Sequence, residues 1–177
     1  MNGGRMTDEE IIQRVLQGDR AAYRLIVEQY QDVVFACALA VTRNDADAKD
    51  IAQEAFLRLY RHLAQVDPRR PLKPYLMRIT VNCSRNLLAV RENWEPLGET
   101  PAPSAPSDAS ASERAAAVRE LVQRLPQTLR EVCTLFYFAG HSCREIAEIL
   151  RMSEPAVKVA LHRARKKLLA GWRCAYE

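Results

Sequence analysis

The stretch GHSCREIAEILRMSEPAVKVALHRARKKLL, Gly140 to Leu169, constrains this chain more than any other. Ser142 and Glu145 have the spacing of a capping box: the hydroxyl accepts from an orphan backbone N–H, and the carboxylate three residues on reaches back. Ile146, Ala147, Ile149 and Leu150 give that helix an apolar stripe. Arg151, Met152 and Ser153 leave room only for a turn. Ser153 can cap again, and Pro155 falls in a first turn, where a missing N–H costs little. The second helix then carries Val157, Leu161, Ala164 and Leu168 on one face, with Ala156, Lys158, Val159, Arg163, Lys166 and Lys167 on the others. Two capped helices with a three-residue turn form a helix-turn-helix pattern, whose second helix enters the major groove. From Pro155 to Arg173 the chain has Lys158, Arg163, Arg165, Lys166, Lys167 and Arg173 and no acid, as expected of a surface laid against phosphates.

The rest of the chain is read against that element. Its 177 residues suffice for one or two small domains. Residues 1–100 carry fourteen basic and fourteen acidic groups, so the net charge of +4 arises in residues 101–177, with twelve against eight. No apolar run approaches the roughly 20 residues of a membrane span and no signal-peptide core follows the N-terminus, so a cytoplasmic protein is expected. Five cysteines, at 37, 83, 133, 143 and 174, form no CxxC pair, which suits reduced thiols. His141, Cys143 and Cys133 lack the paired spacing of a structural zinc site, and no metal or cofactor is expected.

Helical periodicity runs through the first hundred residues and no strand pattern interrupts it. Thr7 and Glu10 can cap a first helix bearing Ile11, Ile12, Val15 and Leu16, which Gly18 ends. Asp19 can cap a long second helix reaching about Val41, with Tyr23, Ile26, Val27, Tyr30, Val33, Val34, Cys37 and Ala38 at spacings of three and four. After Asn44 and Asp45 a third helix presents Ile51, Ala52, Ala55, Phe56, Leu59, Tyr60 and Leu63 to the core. It leaves an acidic and amide strip, Asp47, Asp50, Gln53 and Glu54, outside. The charge then reverses: Arg58 to Arg91 holds eight basic residues against Asp67 alone.

Asp67 to Pro74 is a proline-rich loop, after which Pro74 can start a fourth helix. Leu76, Ile79, Thr80, Cys83 and Leu87 form its expected buried face, and Tyr75, Arg78, Asn82, Arg85 and Asn86 the opposite one. A ring, two guanidinium groups and two amides on one stripe suit stacking on unpaired bases, gripping phosphates and bonding base edges. Pro96 to Ser112, PLGETPAPSAPSDASAS, has four prolines and little to bury, the composition of a linker. Its relaxed reach of roughly 21–25 Å, against about 56–61 Å fully extended, leaves the two domains able to pack on each other in the free chain. Ser112 can cap a helix with Val118, Leu121, Val122 and Leu125. Pro126 opens another with Leu129, Val132, Cys133, Phe136 and Tyr137.

With DAKDIAQEAFLRLYRHL, PYLMRITVNCSRN, the proline-rich linker and LPQTLREVCTLFYFAGHSCREIAEILRMSEPAVKVALHRARKKL in this order, nearly the whole chain resembles an extracytoplasmic-function (ECF) sigma factor of bacterial RNA polymerase. The resemblance implies an all-α protein of two small helical domains: sigma region 2 at 7–94, a flexible linker at 95–112, and sigma region 4 at 113–173. It implies no enzyme activity. It implies as partners core RNA polymerase, through the beta-prime clamp and beta flap, promoter DNA, and an anti-sigma factor, with no membrane contact of its own. On matching residues, Asp47, Asp50, Gln53 and Glu54 fall at the clamp-docking strip. Arg69, Arg70, Lys73, Tyr75, Arg78, Asn82, Arg85 and Asn86 fall where the downstream promoter element is melted and read. Ser142, Arg144, Glu154, Ala156, Lys158, Val159, Arg163, Lys166 and Lys167 fall where the upstream element is read. The chain departs from the family in having Tyr75 for a common Trp, Asn86 for a common Asp, and Ala156-Val157-Lys158-Val159-Ala160 for TVKSR. Ala156, Val159 and Ala160 lack hydrogen-bonding groups, so Lys158 and Arg163 remain as the base-reading candidates. A helix-turn-helix regulator that needs no polymerase, or an adaptor that binds no DNA, are the other readings. A gel shift with and without core polymerase separates all three.

Overall fold

A computed structural model describes the backbone of residues 6–94 and 112–176. The expected linker, apart from Ser112 at its end, lies outside the described residues. Among the described residues there are helices and no strands. The N-terminal domain comprises α1 (Asp8–Leu16), a 3-10 turn (Arg20–Ala22), α2 (Tyr23–Thr42), α3 (Asp45–Arg61), a second 3-10 turn (Leu63–Gln65) and α4 (Leu72–Trp94). The C-terminal domain comprises α5 (Ser112–Gln123), α6 (Gln127–Cys133), which runs into a π turn (Thr134–Phe138), α7 (Cys143–Leu150) and α8 (Glu154–Tyr176).

The helix starts follow the capping chemistry in the sequence. Thr7 and Glu10 close their capping box, Asp19 accepts from the Ala22 N–H, and Asn44 accepts from the Asp47 N–H. Beyond α1, Gly18 takes a φ of 105°, a left-handed conformation that only glycine adopts without strain. Tertiary hydrogen bonds tie α2 to both its neighbours: the Tyr30 hydroxyl donates to Asp8 of α1 at 2.7 Å, and the Tyr23 hydroxyl donates to the Phe56 carbonyl of α3 at 2.7 Å.

α2 is the axis of the N-terminal bundle. By length and composition the run Arg20–Thr42 would suffice to cross a bilayer, contrary to the sequence expectation. Here Ile26, Tyr30, Val34, Cys37, Ala38 and Val41 are buried against α3 and α4. On α4 the buried face is Leu76, Met77, Thr80, Val81, Cys83 and Ser84, with Ile79 and Leu87 only half-buried. The face is thus rotated from the expected one, because the C-terminal domain covers a second side of this helix.

The two domains share one core. A single buried cluster contains Leu72, Leu76 and Met77 of α4 together with Val132, Leu135, Ala139 and Ile146 of the C-terminal domain. α2 packs on α6 and the π turn, and α4 packs on α7. This is a closed packing of the kind that the linker's relaxed reach allows. Val118 and Tyr137, read from periodicity as core residues, are exposed, as is Phe138. The π turn accounts for the two aromatics: its wider winding takes Tyr137 and Phe138 off the buried stripe that α6 begins. At the other edge of the domain α5 lies so close to α8 that a Cβ on Gly171 would stand 2.8 Å from Leu121.

Leu76→Ala should therefore destabilise the whole chain by about 2–5 kcal/mol. Urea unfolding followed by circular dichroism would measure this, and a loss confined to one of two separate transitions would contradict the shared core.

Candidate nucleic-acid and polymerase interface

On α3, Asp50 and Gln53 are exposed and Glu54 is half-buried. Glu54 bonds Arg58 one turn on, at 2.5 Å, and that guanidinium holds its carboxyl below the usual carboxylate range. Asp47 does not belong to this strip. It is buried and takes both arms of the Arg91 guanidinium, at 2.5 and 2.8 Å, tying the end of α4 to the start of α3. Helical spacing put it beside Asp50, but α4 covers that end of the strip. Past Gln53 the surface turns apolar. A pocket of about 520 Å³ is lined by Arg20, Tyr23, Val27, Gln53, Phe56, Leu57 and Tyr60. Tyr60, read as a core residue, is 38 % exposed and stacks edge-on against Tyr23, 4.9 Å between centroids.

The stripe expected on α4 is present, but its members differ in freedom. Arg69 and Arg70 are exposed in the loop, where Asp67 accepts from the Arg69 N–H and sits 3.8 Å from the Arg70 guanidinium. Tyr75 is half-buried with Arg78 over its ring at 5.3 Å. Asn82 is half-buried and Asn86 exposed. Lys73 and Arg85 are engaged by the C-terminal domain: Lys73 donates to the Ala139 carbonyl, and Arg85 grips Glu131 at 2.5 Å.

In the helix-turn-helix the capping box closes as expected, with the Ser142 N–H donating to Glu145 at 2.8 Å. Those hydrogen bonds hold the Glu145 carboxyl below its ordinary range. Arg151, at a φ of 55°, makes the left-handed turn and Ser153 caps α8 through the Ala156 N–H. Val157, Ala160, Leu161 and Ala164 face the core. Lys158, Val159, Arg163, Lys166 and Lys167 are exposed, and Ala156 half-buried. Lys158 pairs with Glu154 at 2.7 Å and Arg144 lies 3.8 Å from Glu148, whereas Arg163, Lys166 and Lys167 make no ion pair among the described residues. Arg165, outside the expected set, donates to the Tyr137 hydroxyl at 2.7 Å.

Four charged residues emerged only with the fold: Arg43, Arg91, Arg130 and Glu131. Arg130 and Glu131 are 4 % and 1 % exposed. Arg130 donates to the Ala40 and Val41 carbonyls of α2 and to the Leu125 carbonyl, and Arg43 donates to that same carbonyl at 3.1 Å. Burial pushes the Arg130 guanidinium down to about 10, which leaves it cationic at neutral pH. The one signal in the sequence was a charged pair inside an apolar run, Leu129-Arg130-Glu131-Val132. Burial raises the thiols as well, Cys37 to about 12 and Cys133 to about 11, so neither is a thiolate at neutral pH.

A fold of two helical domains, one with an exposed basic recognition helix and one with separate acidic and basic surfaces, defines a DNA-binding protein that also docks on protein. The comparisons agree. The family model "Sigma-70 region 2" matches residues 26–94, and "Sigma-70, region 4" matches residues 115–168. The RNA polymerase sigma-H factor of Pseudomonas aeruginosa is 30% identical, with 91% of each chain covered. The ECF RNA polymerase sigma-E factor of Escherichia coli K12 is 32% identical over 92% of this chain and 93% of its own. A probable RNA polymerase sigma factor RfaY of Xanthomonas campestris is 37% identical over 84% of this chain, which spans 40% of that relative's length. Among solved structures, CnrH in complex with the cytosolic domain of CnrY has a TM-score of 0.72 at 25% identity, covering 96% of this chain and 99% of that one. The sigma factor RpoE of Bartonella quintana, bound to the anti-sigma factor NepR, has a TM-score of 0.76 at 17% identity, covering 85% and 96%, a likeness of fold. The chain belongs to the sigma-70 family of RNA polymerase sigma factors, in its ECF branch. Sigma factors are initiation factors rather than enzymes.

Two checks follow. Asp47→Asn should cost about 1–3 kcal/mol, because it takes the charge from the Arg91 bond, while Asp50→Asn should stay within about 0.5 kcal/mol. Thermal unfolding of the pair decides between a structural and a docking Asp47. His141 supplies a pH test. It is buried with Nε2 unpartnered, and burial lowers its basicity against the opposing pull of Glu145. Its folded pKa lies below the unfolded value of about 6.5. The unfolded chain thus binds the extra proton first, and stability falls as pH drops below that value. His141→Phe should flatten this slope between about pH 7 and 5 in denaturant titrations.

Proposed function

We propose that residues 7–94 act as the polymerase-docking and strand-capturing domain, and residues 113–173 as the reader of the upstream promoter element. In this reading Asp50, Gln53 and Glu54, with the apolar pocket beside them, engage the clamp of core RNA polymerase. Core polymerase, promoter DNA and an anti-sigma factor are the partners, and the chain works in the cytoplasm. The relatives carry the names of RNA polymerase sigma factors, and one neighbour, an engineered region 2 of sigmaE with GTAAAA, is 33% identical to this chain with a TM-score of 0.50, covering 55% of this chain and 100% of its own.

The observation that carries the reading is the separation of charge by surface. Acidic and amide side chains stand exposed beside an apolar pocket on α3, while the exposed basic groups of α4 and α8 occupy other helices. A polymerase subunit needs both surfaces at once, one for protein and one for nucleic acid. Lys166 and Lys167 supply phosphate contacts along the major groove, while Arg163, and Lys158 once it leaves Glu154, can reach base edges. Tyr75, Arg78 and Asn82 face a base turned out of the opened strand. Stacking recovers about 1–3 kcal/mol of an unstacking cost of a few, enough to bias melting without a bond made by this chain.

Asp50→Arg and Glu54→Arg should each weaken co-purification with core polymerase and lower transcription from a responsive promoter, with the fold intact by circular dichroism. Wild-type binding by both would overturn the docking assignment. On the upstream side, Lys166→Ala should weaken binding of the holoenzyme to unrelated promoter sequences about equally and reduce the salt slope by about 1. An unchanged slope would remove Lys166 from the phosphate contacts.

A further inference from the structure

The outward face of α8 has an apolar residue near its middle. At about 100° per residue, Pro155, Val159, His162, Arg163 and Lys166 fall in one sector of the helix, and all five are exposed. Val159 stands near the centre of that sector and is 49 % exposed. It does not belong to the buried stripe, which Val157, Ala160, Leu161 and Ala164 supply, each at most 5 % exposed. A β-branched side chain on a helix surface gives up rotamer freedom and buries nothing, so the fold gives no reason for a valine here. A single exposed apolar residue is ordinary on a protein surface. The setting of this one is not. Arg163 lies one turn further on and Lys166 a turn beyond that, neither in an ion pair among the described residues, and from Pro155 to Arg173 the chain has no acid.

We propose that Val159 is a specificity residue: its isopropyl group packs on the 5-methyl group of a thymine in the upstream promoter element. The inference rests on the assignment of α8 to that element made above, and it adds an apolar contact to the hydrogen bonds open to Lys158 and Arg163. In the major groove every base pair shows donors and acceptors, but only thymine adds an apolar group. The second turn of a recognition helix lies where base edges are met. A valine pressed on the edge of guanine, adenine or cytosine would strip water from a donor or acceptor and return no hydrogen bond, which is costly. Against thymine it removes apolar surface from water on both sides. Val159 therefore selects by penalty as well as by attraction. Ala156, three residues earlier and half-buried, is small enough to let this part of the helix approach the bases closely.

The test uses the full chain assembled with core polymerase. Two pools of duplex DNA randomised over both promoter elements are offered to it, one copied with thymine and one with uracil, which pairs alike and lacks only the methyl group. Wild type should enrich a thymine at one upstream position from the first pool and show no preference there in the second. On the enriched duplex, changing that one thymine to uracil should lower affinity about fourfold, the effect of one buried group of methyl size. Val159→Ala should lose a similar factor on the thymine duplex and no longer distinguish the two. Val159→Thr keeps a methyl group and should keep the discrimination, whereas Lys166→Ala should weaken both duplexes equally. Val159 is exposed, so its variants should melt like wild type, within about 0.5 kcal/mol. An enriched upstream sequence that tolerates uracil, or full discrimination retained by Val159→Ala, would overturn the methyl contact and leave α8 as the reader. No enriched upstream sequence from either pool would overturn both.

Discussion

Two adjacent charges buried in α6 set the terms for everything else in this molecule. Moving Arg130 and Glu131 out of water costs several kcal/mol for each ion, and each is tolerable there only because its hydrogen-bonding positions are filled. About half of the fillers come from the other domain: the Ala40 and Val41 carbonyls for Arg130, and the Arg85 guanidinium for Glu131. Within its own domain Arg130 has the Leu125 and Gln123 carbonyls, and Glu131 has the Gln127 amide. A pair of leucines at these positions would hold the domains together more firmly. A charged pair holds them together in a way that water, and a polyanion, can undo, because each ion regains hydration on separation.

The apolar part of the interface has the opposite character. Leu72, Leu76 and Leu135 are 0 % exposed in the closed chain, and separating the domains would wet whatever surface they bury against one another. Hydrophobic burial and charge pairing thus respond to different partners. A protein that docks on the apolar surface can replace the first, whereas on the function proposed above nucleic acid replaces the second only at Arg85 and Lys73. Opening by both at once is cooperative for this reason: the partner that removes one set of contacts lowers the cost of removing the other.

Most of the fold was legible because it is written locally. Capping boxes at Thr7 and Ser142, the Asn44 cap and the Gly18 stop all depend on residues within four positions of one another. The errors fall where a distant element decides. Asp47 follows the outer spacing of α3, but the end of α4 returns to cover it with Arg91. Tyr60 follows the inner spacing, yet it is left partly exposed and opens onto the pocket beside Tyr23. Tyr137 fell from the core because the π turn changes the winding, and no composition marks that change. The site was legible in the same measure. The exposed basic face of α8 could be read from periodicity and sign of charge, whereas the engagement of Lys73 and Arg85 depends on residues 66 and 46 positions away.

That distance explains why α4 carries more than one task. Its first two turns, with Leu72, Leu76 and Met77 buried, anchor the shared core. Half-buried Tyr75 packs partly against that core beneath the Arg78 guanidinium, Asn82 is half-buried further along, and the last turn holds Asp47 through Arg91. A helix fixed at both ends keeps the spacing between Tyr75 and Asn82 constant whether the domains are together or apart, because the N-terminal bundle alone supplies the bond to Asp47 and the packing against α2 and α3. What closure changes on α4 is therefore not its geometry but the availability of two of its cations. On the function proposed above, a binding surface of fixed shape avoids the ordering cost that a flexible segment would add at the moment of capture.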